Sequence, residues 1–398
     1  MVRTAASRTS VLIAGAGVAG METALALRAF AADRVEVELL DPSVELTMAA
    51  ESTAHPFGRR PRVTPLAPLA ERAGARLRHE RLQEVLAEDG LALTDRGVAL
   101  GYDRLVVAVG ARAEPFMDGA VTFAGTADVP AVRRMVRRLV QGGRRGLDTR
   151  LAFVVPPGAV WPLPAYELAL QADHLLRRRG VRDRVSLTLV TAEDAPLSIF
   201  GTLTSEAVTD DLVRAGISLR AGTIVRDWSW GRLELAPGGH VAVDRVVALP
   251  RQRGPAIPGL PCDAQGFVRA GVDGRVAGRP DVFVVGDAGS FAVKQGGIAC
   301  QQADAVARLI AHEFGAPVAP IPFEPVLRGW LWDGDGGRFM RADLAGGRSE
   351  SAGVTSRGIP LWSPVEKVAC GFLAAALRGE PVAGPPVDRI FAAEAPSR

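Results

Sequence analysis

Lysine is almost missing from this chain of 398 residues. It occurs twice, at Lys294 and Lys367, and the other basic residues are arginine. That is the bias of a GC-rich genome, and it draws notice to each lysine that is present. Cysteine is as sparse, with only Cys262, Cys300 and Cys370. They form no CxxC pair and no zinc-ligand spacing. An odd, low count fits free buried thiols in a reducing cytoplasm rather than a disulfide scaffold. No run of 18 apolar residues exists, so no transmembrane helix is expected. No signal peptide is visible, because the first apolar run, Val11 to Ala14, leads straight into a glycine motif. A cytoplasmic protein is therefore expected. P-loop, HExxH and GxSxG patterns are absent. The five histidines (His55, His79, His174, His240 and His312) are scattered. A formal net charge of +3, despite a pI near 9.0, makes no case for nucleic-acid binding.

What is present is ordinary for a globular protein of two or three domains: 48% hydrophobic and 23% charged residues. A chain of this length buries large cores without staples. Val11 to Ala14 reads as a buried strand, Met21 to Phe30 as a helix, and Arg34 to Leu40 as the next strand, together one βαβ unit. Val98 to Leu100, Tyr102-Asp103 and Leu105 to Gly110 read as a hairpin running into a core strand. Asp128 to Gln141 has Val132, Met135, Val136, Leu139 and Val140 at helical spacing, with Asp128 placed to cap it and Pro130 in the first turn. Its opposite face carries Arg133, Arg134, Arg137 and Arg138, a solvated face before it is an anion-binding patch. A second α/β unit follows: strand Leu151 to Val155, helix Pro164 to Arg179, strand Val185 to Val190, helix Gly201 to Ala215 and strand Val243 to Leu249. Gly329 to Asp333 and Arg338 to Ala342 flank a glycine turn and predict a hairpin.

Between the first strand and helix stands Gly15-Ala16-Gly17-Val18-Ala19-Gly20. GxGxxG alone is weak, but here it follows a strand, opens a helix, and is followed by Asp41 at the end of the next strand. Gly15 permits the tight turn, Gly17 lets backbone approach a pyrophosphate, and Gly20 lets helix and strand pack. The helix N-terminus offers free N–H groups to phosphates, and Asp41 can accept from an adenosine ribose. Asp281 to Asp287 is a second buried strand, ending in Gly286-Asp287. The loop Lys294-Gln295-Gly296-Gly297 and a helix from Ile298 to about His312 come after it. Asp287 can meet a ribityl hydroxyl. The helix end at Gln295 and Gly297, with the ammonium of Lys294, can face a flavin N1/C2=O edge, where negative charge gathers on reduction.

GAGVAG, Tyr102 to Arg112 (YDRLVVAVGAR), Val282 to Gly289 (VFVVGDAG) and Lys294 to Asp304 (KQGGIACQQAD) together resemble the flavoprotein family with two dinucleotide-binding domains. Within that family, the chain is most similar to the branch of sulfide:quinone oxidoreductases and type II NADH dehydrogenases. The resemblance implies FAD as cofactor, crossing to the second domain at Ala108 to Ala111, and flavin contact at Gly286-Asp287. Ala19, Val85, Ala108 and Gly110 are the further cofactor contacts expected.

Relatives that use NAD(P)H carry a second GxGxxG after the first strand of the inserted domain. Here that turn reads Val154 to Pro164, with one glycine (Gly158), four prolines and Trp161. Proline removes N–H donors that a pyrophosphate needs, and the candidate ribose acid, Glu193, lies 35 residues after Gly158 rather than about 20. A standard NAD site is not expected. Neither is a sulfide-attacking cysteine pair, since no cysteine lies near Trp161 or Trp330, Cys300 reads as a small buried residue and Cys370 as part of a C-terminal helix. That helix is predicted over Pro364 to Leu377, packed on the protein rather than dipping into a membrane, because its polar face lacks a basic cluster.

The expected fold is α/β. Two Rossmann-like domains are predicted, the second inserted in the first: an FAD domain from 1–115 and 262–320, a second with a worn nucleotide site over 116–261, and a small α+β segment over 321–398. The expected function is an FAD-dependent oxidoreductase passing two electrons from a small-molecule donor to an acceptor such as a quinone. An NAD(P)H:acceptor reductase and a flavin-bearing sensor with little turnover are the alternatives. Donor, acceptor and oligomeric state stay open.

Overall fold

The computed structural model describes residues 9–345, 347–349 and 352–382. Its main sheet has six strands in the order Arg275–Val276, Arg279–Val284, Arg104–Val107, Thr9–Ala14, Val35–Leu40, Ala75–Arg78. All neighbours are parallel except the first pair. The strands are apolar on both faces because both are covered, one by helices and the other by Leu82, Val85, Ala92, Ile257 and Leu260. Val11, Ile13, Val106 and Phe283 are fully buried. The helices Val18–Ala31 and Gly296–Glu313 pack on one face within a single apolar cluster. Segments far apart in sequence, 9–107 and 275–284, thus build one sheet.

A second sheet is all parallel, in the order Val121–Thr122, Arg245–Ala248, Thr149–Val155, Val185–Thr191, Ile217–Arg220. Helices Val129–Arg144, Leu163–Arg178 and Thr202–Arg214 accompany it. An antiparallel ribbon of Arg112–Glu114 with Arg251–Arg253 lies where the chain crosses between the sheets. The hairpin Val326–Leu331 and Arg338–Ala345 forms as the sequence predicts, and Val354–Arg357 pairs with its second strand.

Three local expectations change. Ala99–Gly101 does pair in a hairpin, but with the upstream strand Leu91–Thr94, through a turn that puts Gly97 at φ 75°. Arg104–Val107 enters the main sheet as the core strand expected. Asp128 does not cap its helix: its carboxylate accepts from the Ala124 N–H at 2.7 Å. The C-terminal helix spans only Phe372–Leu377. The carboxylate of Glu22 accepts from the N–H groups of Gly371, Phe372 and Leu373, and so fixes where that helix begins. Cys370 therefore precedes the helix, and its Sγ meets that of Cys300 at 2.6 Å inside the core. The Pro/Ala-rich tail lies outside the described residues.

Candidate flavin cleft and adjoining reaction chamber

A cleft of about 590 Å³ opens at the carboxyl ends of the main-sheet strands, where open α/β sheets bind ligands. Gly15, Gly17, Ala19, Asp41, Ala108, Gly110, Gly286 and Asp287 all line it. Gly15 has φ 103°, and a Cβ there would stand 2.4 Å from the Ala108 carbonyl oxygen. At Gly20 a Cβ would strike the Gly15 carbonyl, so Gly20 serves packing and does not face the cleft. At Gly17 nothing lies within 4 Å of that position, leaving backbone open to a ligand at the helix N-terminus. Asp41 accepts from the Ala16 N–H at 2.7 Å and the Ser43 N–H at 2.8 Å, which holds the glycine turn against the second strand. These features fit a dinucleotide laid across the strand ends. Val85 does not line the cleft. It is buried in another apolar cluster, its N–H bonded to the Pro258 carbonyl, and Arg81, Leu82 and Gln83 face the cleft in its stead.

A smaller chamber of about 180 Å³ adjoins the cleft and shares Ala49, Ala50, Asp287 and Gly296 with it. Asp287 therefore stands at the junction, its carboxyl pushed up by burial and pulled partly back by Lys294. Gln295 caps the Gly296–Glu313 helix, accepting from the Ile298 N–H at 2.9 Å, and its Nε2 donates to the Arg328 carbonyl. Gly297 is buried behind that cap, where a Cβ would meet the Gln295 side chain at 3.1 Å. Lys294 lines the chamber but is tethered. Its Nζ donates to the carbonyls of Gly289 and Phe291 and lies 4.1 Å from the Phe267 ring centre. Burial lowers its pKa to about 8, against the pull of Asp287 and Asp263.

Lys367, the second lysine, lines the same chamber. Its Nζ donates to Glu167 and to the Trp330 carbonyl. Glu167 also accepts from the Thr53 hydroxyl and from the Trp332 N–H, each at 2.8 Å. Burial pushes Glu167 up and Lys367 down, each toward its neutral form. The sequence reading missed this pair. Its signal was a glutamate within the apolar stretch Leu163 to Leu170, and the rarity of lysine.

The proline-rich turn Pro156 to Pro164 forms part of the chamber wall. Ala159, Val160, Trp161, Leu163 and Pro164 face it, and Trp161 packs on Phe200 with ring centres 5.9 Å apart. Glu193 is engaged elsewhere, accepting from the hydroxyls of Tyr166 at 2.7 Å and Thr191 at 2.9 Å. Cys300 and Cys370 line neither cavity, although their neighbours Ala299 and Val368 line the cleft. Cys262 is half-buried and also away from both. Among the described residues, no helix is long and apolar enough to cross a membrane.

Residues 9–303 match the pyridine nucleotide-disulphide oxidoreductase family. Over 190 residues the chain is 25% identical to the sulfide-quinone reductase of Aquifex aeolicus (strain VF5). That stretch is 46% of this chain and 43% of the relative, so it spans less than half of the relative's length. The solved sulfide:quinone oxidoreductase from Aquifex aeolicus superposes with a TM-score of 0.78 at 20% identity, covering 88% of this chain and 87% of that one. A ferredoxin reductase from Rhodopseudomonas palustris gives 0.64 at 19% identity, over 84% and 82% of the two chains. Putidaredoxin reductase, in its covalent complex with putidaredoxin, gives 0.63 at 19% identity, over 84% and 81%. These structural likenesses establish a shared mixed α/β fold with parallel sheets. With a match running from the first strand into the Gly296–Glu313 helix, the chain belongs to the pyridine nucleotide-disulphide oxidoreductase family and is an FAD-dependent oxidoreductase.

Proposed function

We propose that this enzyme takes two electrons from a small-molecule donor other than NAD(P)H and passes them to an acceptor of the quinone class. The division into an FAD domain (1–115 and 262–320), an inserted domain (116–261) and a C-terminal segment is part of the same reading. FAD supplies the hydride and electron chemistry when bound; the chain supplies position, dryness and protons. Gly15, Gly17, Asp41, Ala108, Gly110, Gly286 and Asp287 would hold it in the cleft.

The observation that carries the proposal is the chamber beside the flavin helix end, whose nearly dry wall holds Lys294 and the bonded pair of Lys367 and Glu167. Reduction of a quinone takes up two protons with two electrons. The Glu167–Lys367 pair can hold a proton on either member, since burial disfavours both charged forms. Lys294 keeps positive charge beside Asp287 at neutral pH. The turn that would carry a second nucleotide is instead rich in proline and puts Trp161 in the chamber wall, and the acid that would meet a ribose is bonded inward.

The test is an anaerobic absorbance titration of the flavin-loaded protein. NADH and NADPH are expected to leave the flavin oxidised at stoichiometric concentrations. Dithionite-reduced enzyme mixed with a short-chain quinone is expected to reoxidise within seconds. Rapid bleaching by either nicotinamide would make this a reductase of the NAD(P)H type, and failure to reoxidise would remove the quinone.

A further inference from the structure

Trp330 lines the reaction chamber and also an inner hollow of about 250 Å³ that the chemistry above does not use. Phe57, Arg59 and Leu175 line both that hollow and an outer groove of about 560 Å³. The groove is walled by Arg59, Arg60, Arg133, Arg137, Arg144 and Arg179, and among the described residues no carboxylate lines it. The arginine face predicted for the Val129–Arg144 helix thus gains partners from two other segments. Arg133 donates to the His55 carbonyl and Arg59 lies over the Trp332 ring; among the described residues none of the six is paired with an acid. Like charges gathered around one concavity repel each other unless an anion sits among them. The inner hollow makes a different demand. Trp332 is 5% exposed, and its Nε1 is buried without a partner. A buried N–H left unpaired is unfavourable and calls for an acceptor. The Arg59 guanidinium stands 4.1 Å from the Trp332 ring centre, and Trp330 lies edge-on to Trp332 at 5.5 Å.

We propose that hollow and groove together bind a nucleoside polyphosphate, the base in the hollow and the phosphates among the arginines. Guanidinium forks match phosphate oxygens, and bases stack on aromatic and guanidinium planes. A base ring nitrogen or carbonyl supplies the acceptor for Trp332 Nε1. Taken together, hollow and groove are large enough for a small ligand, whereas a flat bilayer would bring no group to a buried indole. The proposal does not depend on which donor or acceptor the flavin uses.

The test is calorimetry on the full chain loaded with FAD, so that the cleft is filled. The probes are ATP, pyrophosphate and vesicles containing phosphatidylglycerol. ATP is expected to bind, and pyrophosphate to bind about tenfold more weakly or less. The double variant Arg137→Glu, Arg144→Glu should weaken both by about tenfold or more. Both positions are exposed, and retained flavin absorbance reports that the fold is kept. Trp332→Phe should weaken ATP and leave pyrophosphate unchanged. Absent ATP binding, ATP binding indifferent to the arginine pair or to Trp332, or binding of the vesicles alone would each overturn the proposal.

Discussion

The Nζ of Lys367 bonds to a carboxylate oxygen of Glu167 across 200 residues of sequence, and the two side chains are only 4% and 1% exposed. The contact ties the C-terminal segment to the Leu163–Arg178 helix at the wall of the chamber beside the cleft. Removing one member of a buried ion pair leaves the other charged and dry. Lys367→Met is therefore expected to cost about 3–5 kcal/mol at pH 8. The loss should shrink in acid. Burial already raises the Glu167 pKa, and without Lys367 it rises further, so the variant's stability is present when Glu167 is protonated and falls as pH climbs through that raised value. Urea unfolding at pH 5 and pH 8 measures this, and an equal loss at both would refute it. Glu167→Gln with Lys367→Met should recover part of the stability while still lowering acceptor turnover.

The first glycines make a sharper prediction about the cofactor. A methyl group at Gly15 or Gly20 would collide with backbone, with the Ala108 and Gly15 carbonyls respectively. Backbone cannot swing aside as a side chain can. Gly15→Ala and Gly20→Ala should purify with little flavin absorbance, whereas Gly17→Ala meets no atom of the protein and should keep its fold while binding FAD more weakly. Absorbance at the flavin band against protein concentration reads all three.

These two cases divide what the sequence discloses from what it hides. The glycine turn, its flanking strands and Asp41 are consecutive, and strand, turn and helix preferences act within a few residues. Hence the glycine turn, Asp41 and Gly286-Asp287 could be placed along one cleft from the sequence, whereas Gly20, Val85, Lys294, Gln295 and Gly297 do not line it. Glu167 and Lys367, or Cys300 and Cys370, meet only because the chain returns from the second sheet to the first. No local periodicity records that. The C-terminal helix failed for the same reason. Its apolar spacing continues back to Pro364, but the three N–H groups held by Glu22 cap it at Gly371 and start it at Phe372, a choice made 349 residues earlier in sequence.

The cysteines are expected to differ in reactivity. Cys300 and Cys370 are buried together, and burial lifts both thiols, that of Cys370 to about 11. The thiolate is the nucleophile, so neither should react with a thiol reagent at pH 8 in the folded protein. Cys262 is half-buried, its thiol also raised by burial, and should react slowly. A chromogenic disulfide reagent on reduced protein should count at most one thiol before denaturant and three after it. Rapid labelling of Cys300 or Cys370 in the native state, located by peptide mass, would show that the core around Glu22 opens.

Glu193 tests whether the region around the second sheet has a nucleotide-binding acid. Burial raises its pKa from 4.5 to about 7, although the Tyr166 and Thr191 hydroxyls pull it down. The folded state therefore binds more protons than the unfolded one between these values. The stability this gives is complete below pH 4.5 and is lost as pH rises through 7. Glu193→Gln has no proton to lose. Its melting temperature relative to wild type should climb between pH 5 and pH 8, by about 2–4 °C for each kcal/mol involved. An acid held open for a ribose would be solvated, and its removal would leave the melting difference flat across that range. A rising difference, together with flavin that NADH still fails to bleach in Glu193→Gln, would mark this carboxyl as part of the fold's packing and place the electron donor elsewhere.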